Sequence, residues 1–145
     1  MCNYTLSCDV HKEHANKRQL KEKYVEQKNG VAAKTQDVLT HHLNCFGDIA
    51  GTMADYTAES RFFTPDGLLR GSDAIRGFFV RLFEEFAKPG MSFEMLRQEV
   101  DGDTAYIVWK AETADNSFEL GTDTFIVQNG KIVTQTFAGK ISPKR

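Results

Sequence analysis

Residues 117–140 read SFELGTDTFIVQNGKIVTQTFAGK. The run alternates residue by residue and is folded at Asn129-Gly130, a dipeptide whose tolerance of positive φ suits a tight hairpin turn. Glu119, Gly121, Asp123, Phe125 and Val127 fall on one face, answered after the turn by Val133, Gln135, Phe137 and Gly139. Asp123 is the exception among them. A carboxyl flanked by a glycine, a phenylalanine and a valine either points into solvent or sits in a mostly apolar hollow, where burial would raise its pKa. The second option makes it a candidate site residue.

Working outward, two further alternating runs precede this hairpin, at about 92–101 and 103–114, so that with 117–128 and 131–141 four long strands form an antiparallel meander. The Asp101-Gly102 and Asp115-Asn116 turns join them. In the second run Ala105, Ile107, Trp109 and Ala111 alternate with Thr104, Tyr106, Val108 and Lys110, so both faces carry apolar groups. One face should take helices; the other is a candidate for contact with a second copy of the chain. A fifth, short strand is expected at Ser60–Thr64, stopped by Pro65 and by the Asp66-Gly67 turn.

Helices are expected before and between these strands. After Gly71, Ser72 begins the strongest one, where Ile75, Phe78, Phe79, Leu82, Phe83 and Phe86 keep helical spacing until Pro89-Gly90. Upstream, Val38, Leu39, His42, Cys45 and Phe46 place an apolar stripe on a helix over about 32–46, closed by Gly47. Asp48 then caps a short helix whose Ile49, Met53 and Tyr56 share a side. His41 and His42 diverge by about 100° around the first helix, so both cannot face the core. His42, on the apolar face, is either a buried, satisfied histidine or a hydrogen-bond donor or base in a pocket.

Residues 1–30 carry few large apolar groups, which marks them as a polar, mobile extension ahead of a domain at 31–145; 14–27 could form a solvated helix. Cys8, His11 and His14 admit a metal reading, weighed against a solvated polar tail, and no metal site is predicted. The 145 residues suffice for one domain, and a net charge of −2 offers no footprint for nucleic acid or an anionic membrane surface. The ligand expected is small and not a polyanion. Cys2, Cys8 and Cys45 are odd in number, which suits reduced thiols and a cytoplasmic setting. No phosphate loop, nucleophile elbow or metal-ligand pattern is present, so no cofactor is implied.

Helix, helix, strand, helix, then four strands is an α+β order. Long twisted strands curl into a half-open cone, covered on its concave side by about three helices, and the mouth of such a cone suits a small molecule. The side chains expected to line it are Phe62, Thr64, Phe78, Trp109, Phe125, Gln135 and Phe137, with Asp123 and His42 as the candidate catalytic pair.

From about Val38 to Ile141 the chain resembles the nuclear transport factor 2-like superfamily, and within it the SnoaL-like and ketosteroid-isomerase-like branch. The carriers are the helix ending in Phe46-Gly47-Asp48, MADYTAESRFFTPDG (residues 53–67), RGSDAIRGFF (70–79) and ELGTDTFIVQNGKIV (119–133). The resemblance implies a cone fold, a homodimer built through the sheet face, and a cofactor-free isomerase, cyclase or dehydratase, or a binding module without catalysis. In the isomerases a protonated aspartic acid and a tyrosine hold the enolate oxygen while an aspartate moves the proton. In register, Asp123 takes the place of the protonated acid, His42 falls near the tyrosine, and Thr64 falls at the base. A threonine cannot abstract such a proton near neutral pH, which argues against steroid isomerisation. The cyclase branch implies an acid that protonates a carbonyl oxygen during aldol closure, for which Asp123 could serve with His42 as partner. Glu112 and Glu119 are alternative carboxyls, or solvated strand ends.

Overall fold

In the computed structural model, which describes the backbone of residues 8–145 and side chains from residue 13 onward, the hairpin turn has φ of 52° at Asn129 and 72° at Gly130. Both values are positive, as a two-residue turn that matches strand twist requires. It joins β5 (Asn116–Gln128) to β6 (Lys131–Pro143). Ahead of them β3 (Ser92–Asp101) and β4 (Thr104–Glu112) complete the antiparallel meander.

The remaining elements are α1 (Cys8–Asn44), α2 (Ile49–Met53), β1 (Tyr56–Thr64), β2 (Gly67–Arg70) and α3 (Gly71–Phe86). The sheet has six strands in the order β2-β1-β6-β5-β4-β3, curved and unclosed. Two features differ from expectation. β1 pairs parallel with β6, while every other pairing is antiparallel. The extra strand, β2, closes a hairpin with β1 in which Phe62 faces Leu69. Parallel pairing joins residues far apart in sequence, so local periodicity carries no sign of it.

The α3 stripe lies inward as its spacing demands: Ile75, Phe79, Phe83 and Phe86 are buried. The first helix begins at Cys8, not near residue 32. From residue 13 to 30 each of its side chains is exposed, and burial starts at Thr35, Leu39 and His42, one face of the last turns. Thr35 anchors that end, donating from Oγ1 to the carbonyl of Gly102 in the β3–β4 turn at 2.7 Å. The metal reading weighed and not adopted for Cys8, His11 and His14 rests in part on side chains outside those described. Among the described residues no group of three or more His, Cys, Asp or Glu side chains could hold a metal ion, and no helix is long and apolar enough to cross a membrane.

Two bulges shift the strand parity. Phe118 faces Ile141 and Leu120 faces Lys140, so Glu119 is extruded into solvent, where it pairs with Lys140 and Ser142. After the turn, Ile132, opposite Val127, takes the buried place expected of Val133. Tyr56, expected on the short helix, instead begins β1 and is buried beside Ile132.

Candidate functional site

The concave side of the sheet, α3 and the last turns of α1 enclose a cavity of about 460 Å³. Its walls are mostly aromatic. Phe62, Phe78, Trp109, Phe125, Gln135 and Phe137 line it together with Asp123 and His42. Thr64 stands apart, at the end of β1, where its hydroxyl donates to the carbonyl of Gly67 at 2.9 Å and accepts from the Asp66 amide. Glu112 is also elsewhere, bonded to Ser117 and Lys144 on the outside. At the open end Phe46, Met91 and Phe93 line the cavity while each remains more than two-fifths exposed.

Asp123 is 8% exposed and both its oxygens accept hydrogen bonds. Trp109 donates from Nε1 to Oδ2 at 2.7 Å, and Gln135 donates from Nε2 to Oδ1 at 3.0 Å. The register explains the first contact. Trp109 lies opposite Gly121 on the neighbouring strand, and its indole crosses the glycine to reach the carboxyl two residues on. A Cβ at Gly121 would collide with the indole ring atoms. Burial pushes the Asp123 carboxyl above its ordinary value, and the two donors and the nearby His42 counter that only in part.

Gln135, 2% exposed, links this carboxyl to Tyr56, whose hydroxyl donates to Oε1. Burial and, after it, the charges of Asp123 and Asp55 hold the Tyr56 phenol well above its usual value, so it stays a donor throughout the physiological range. Gln135 can serve either protonation state of Asp123. With the carboxylate its amide nitrogen donates; with the neutral acid and no ligand at its O–H, a flipped amide would accept that O–H.

His42 is 8% exposed and is ringed edge-on by Tyr56, Phe79 and Phe125, with centroids at 5.8, 5.7 and 5.3 Å. His41 diverges from it, half exposed, as helix geometry requires. Its Nδ1 donates to Oδ1 of Asp55 at 2.7 Å, and Cys45 Sγ lies 3.5 Å from its Nε2. Asp55 is 5% exposed and sits at the junction of α2 and β1, with its other oxygen facing His42. Nothing in the sequence around Asp55 and Tyr56 marks either as a site residue. Tyr56 keeps helical spacing with Ile49 and Met53, and Ala58 and Glu59 are weak strand formers, so β1 was expected to begin too late to bring either residue to the sheet.

The SnoaL-like domain model matches residues 39–135, two-thirds of the chain. The chain belongs to the SnoaL-like family. Among curated proteins no match was found. Solved structures similar to this SnoaL-like chain include a nuclear transport factor 2-like protein of unknown function from Mesorhizobium loti, 26% identical, which covers 75% of this chain and 93% of its own at a TM-score of 0.65. A protein of Kribbella flavida assigned as a ketosteroid isomerase is 16% identical over 74% of this chain and 78% of its own, with a TM-score of 0.60. One of Sinorhizobium meliloti assigned as a polyketide cyclase is 18% identical over 70% and 94%, with a TM-score of 0.59. The last two likenesses establish a shared fold. The expected superfamily and α+β cone are thereby confirmed for this SnoaL-like chain.

Proposed function

We propose that this SnoaL-like protein binds a small apolar carbonyl compound in the cone and acts on it by acid/base chemistry, as a cofactor-free isomerase, cyclase or lyase. Asp123 is the neutral acid or hydrogen-bond donor at the carbonyl oxygen, and His42 is the base or second donor. The observation that carries this reading is a carboxyl of raised proton affinity and an imidazole in the wall of one apolar cavity. Two neighbours in fold have names from this chemistry, ketosteroid isomerase and polyketide cyclase, which is in keeping with it. Thr64, outside the cavity, supplies no base.

The test is exchange of α-protons for deuterium in a panel of apolar ketones, followed by NMR in heavy water. Asp123→Asn and His42→Ala should each slow exchange by about 10²–10⁴-fold, the usual worth of a positioned acid or base. Full exchange in both variants would overturn the proposal.

One observation favours a second reading, a binding module without catalysis: both oxygens of Asp123 already accept hydrogen bonds from Trp109 and Gln135. On that reading a ketone binds without exchange, and Asp123→Ala leaves its affinity unchanged.

The proposal includes a homodimer through the outer sheet face, where Tyr106 pairs with Thr124 and Val108 with Thr122. Its support is that this face mixes apolar and small polar groups and that Tyr106 is exposed. Light scattering at micromolar concentration should give twice the chain mass; a monomer would remove it. The cytoplasmic setting rests on the odd number of cysteines.

A further inference from the structure

His42 Nδ1 and Asp55 Oδ2 are buried polar atoms without a hydrogen-bond partner among the described residues, yet they face each other at 3.4 Å. Buried polar groups are normally satisfied, so two orphans in apposition ask for an explanation. One small movement satisfies both. Because an ionised carboxylate only accepts, that bond requires the proton on Nδ1 of His42.

The surroundings fix the carboxylate for this role. Asp55 lies where α2 hands over to β1, its amide donating to the carbonyl of Thr52 and its own carbonyl accepting from the Ile132 amide at 2.7 Å. Its first oxygen is taken by His41 Nδ1 at 2.7 Å, which leaves the second for His42. His42 lines the cavity and Asp55 does not, so the imidazole stands between the carboxylate and the chamber. The edge of the ring away from Asp55 carries Nε2, which bonds no group among the described residues.

Resting on the acid/base reading above, we propose that Asp55 is the positioning residue of His42. It holds the Nδ1–H from behind, so that a bare Nε2 is presented to the cavity as the base. In the reaction the α-C–H bond of the carbonyl compound breaks and its proton forms the Nε2–H bond. The electron pair stays on the substrate as an enolate, whose oxygen takes a hydrogen bond from Asp123. The imidazolium so formed is stabilised by the Asp55 carboxylate at its back, and the same proton returns to another carbon to complete an isomerisation. Asp55 never touches the substrate, and His41 steadies it from the solvent side. The other groups near His42 are the rings of Tyr56, Phe79 and Phe125 and the carboxyl of Asp123.

The test is the tautomer of neutral His42, read from long-range proton–nitrogen spectra of the full-length labelled protein at a pH where its imidazole is uncharged. The wild-type chain should show the Nδ1–H form with Nε2 unprotonated. Asp55→Ala should abolish that form in favour of Nε2–H, the form free imidazole side chains prefer. A wild-type His42 already protonated at Nε2, or an Nδ1–H form that survives in Asp55→Ala, would overturn the proposal. The wild-type spectrum decides by itself if the variant does not fold. This readout needs no substrate, so it separates failure of the positioning role from failure of the acid/base reading, which the exchange assay reports.

Discussion

Asp123 in the cavity and Glu85 near the end of α3 each accept hydrogen bonds from more than one side chain, yet their proton affinities move in opposite directions. Glu85 takes Lys88 Nζ at 2.7 Å, Thr113 Oγ1 at 2.5 Å and Asn116 Nδ2 at 2.7 Å, and these bonds pull its carboxyl down to about 2. Asp123 takes two neutral donors, and burial still pushes it up. Glu85 has a cation for a neighbour and keeps part of its surface in water; Asp123 faces an aromatic chamber. The number of hydrogen bonds therefore does not decide which way a carboxyl's proton affinity moves. Desolvation wins where neither water nor a cation compensates it.

The comparison can be broken from the cavity side first. Phe125 is 2% exposed and packs against His42, so Phe125→Ala should cost about 3–5 kcal/mol in urea denaturation. A cost below about 1 kcal/mol would mean that the chamber is not a packed wall. Gly121→Val should cost about 1–3 kcal/mol through overpacking against Trp109, and should raise the proton affinity of Asp123 further by removing its indole donor. Tryptophan fluorescence would report the displaced ring; an unchanged spectrum would contradict the close approach.

Two smaller effects carry opposite signs. The carboxyl of Asp123 is raised in the folded state, so its contribution to stability is full below its unfolded value of about 3.8 and is lost as pH rises through the folded value. Asp123→Asn should therefore raise Tm relative to the wild type at pH 7, with the gain shrinking below pH 3.8. Glu85 is lowered from 4.5 to about 2, so its contribution is present above 4.5 and lost as pH falls towards 2. Glu85→Gln should lower Tm at pH 7 and leave it unchanged near pH 2. Melts at both ends of the range check the pair, and equal signs for the two variants would refute the contrast.

Much of this contrast was legible in the residues. Strict alternation from Gly121 to Val127 puts the side chain of Asp123 on the face of Phe125 and Val127, and the phenylalanine spacing of α3 supplies the roof. Glu119 and Val133 misled because a β-bulge inserts one residue and turns every later side chain over. Alternation does not announce where a bulge falls. Asp55 was illegible for a different reason: its partners lie on another element, and only the packing of α1 against the start of β1 brings them together. Thr64 was assigned by register to a place at the cavity, and it lies instead at the end of β1, bonded to Asp66 and Gly67 of the β1–β2 hairpin.

The carbon-detected NMR titration of the Asp123 carboxyl is the most direct measurement. The account predicts a midpoint above 3.8, moving higher still in Gly121→Val, while Glu85 titrates near 2 in the same spectra. An Asp123 midpoint at or below 3.8 would contradict it, because a carboxyl that ionises as readily as one in water cannot be the neutral acid of the chamber.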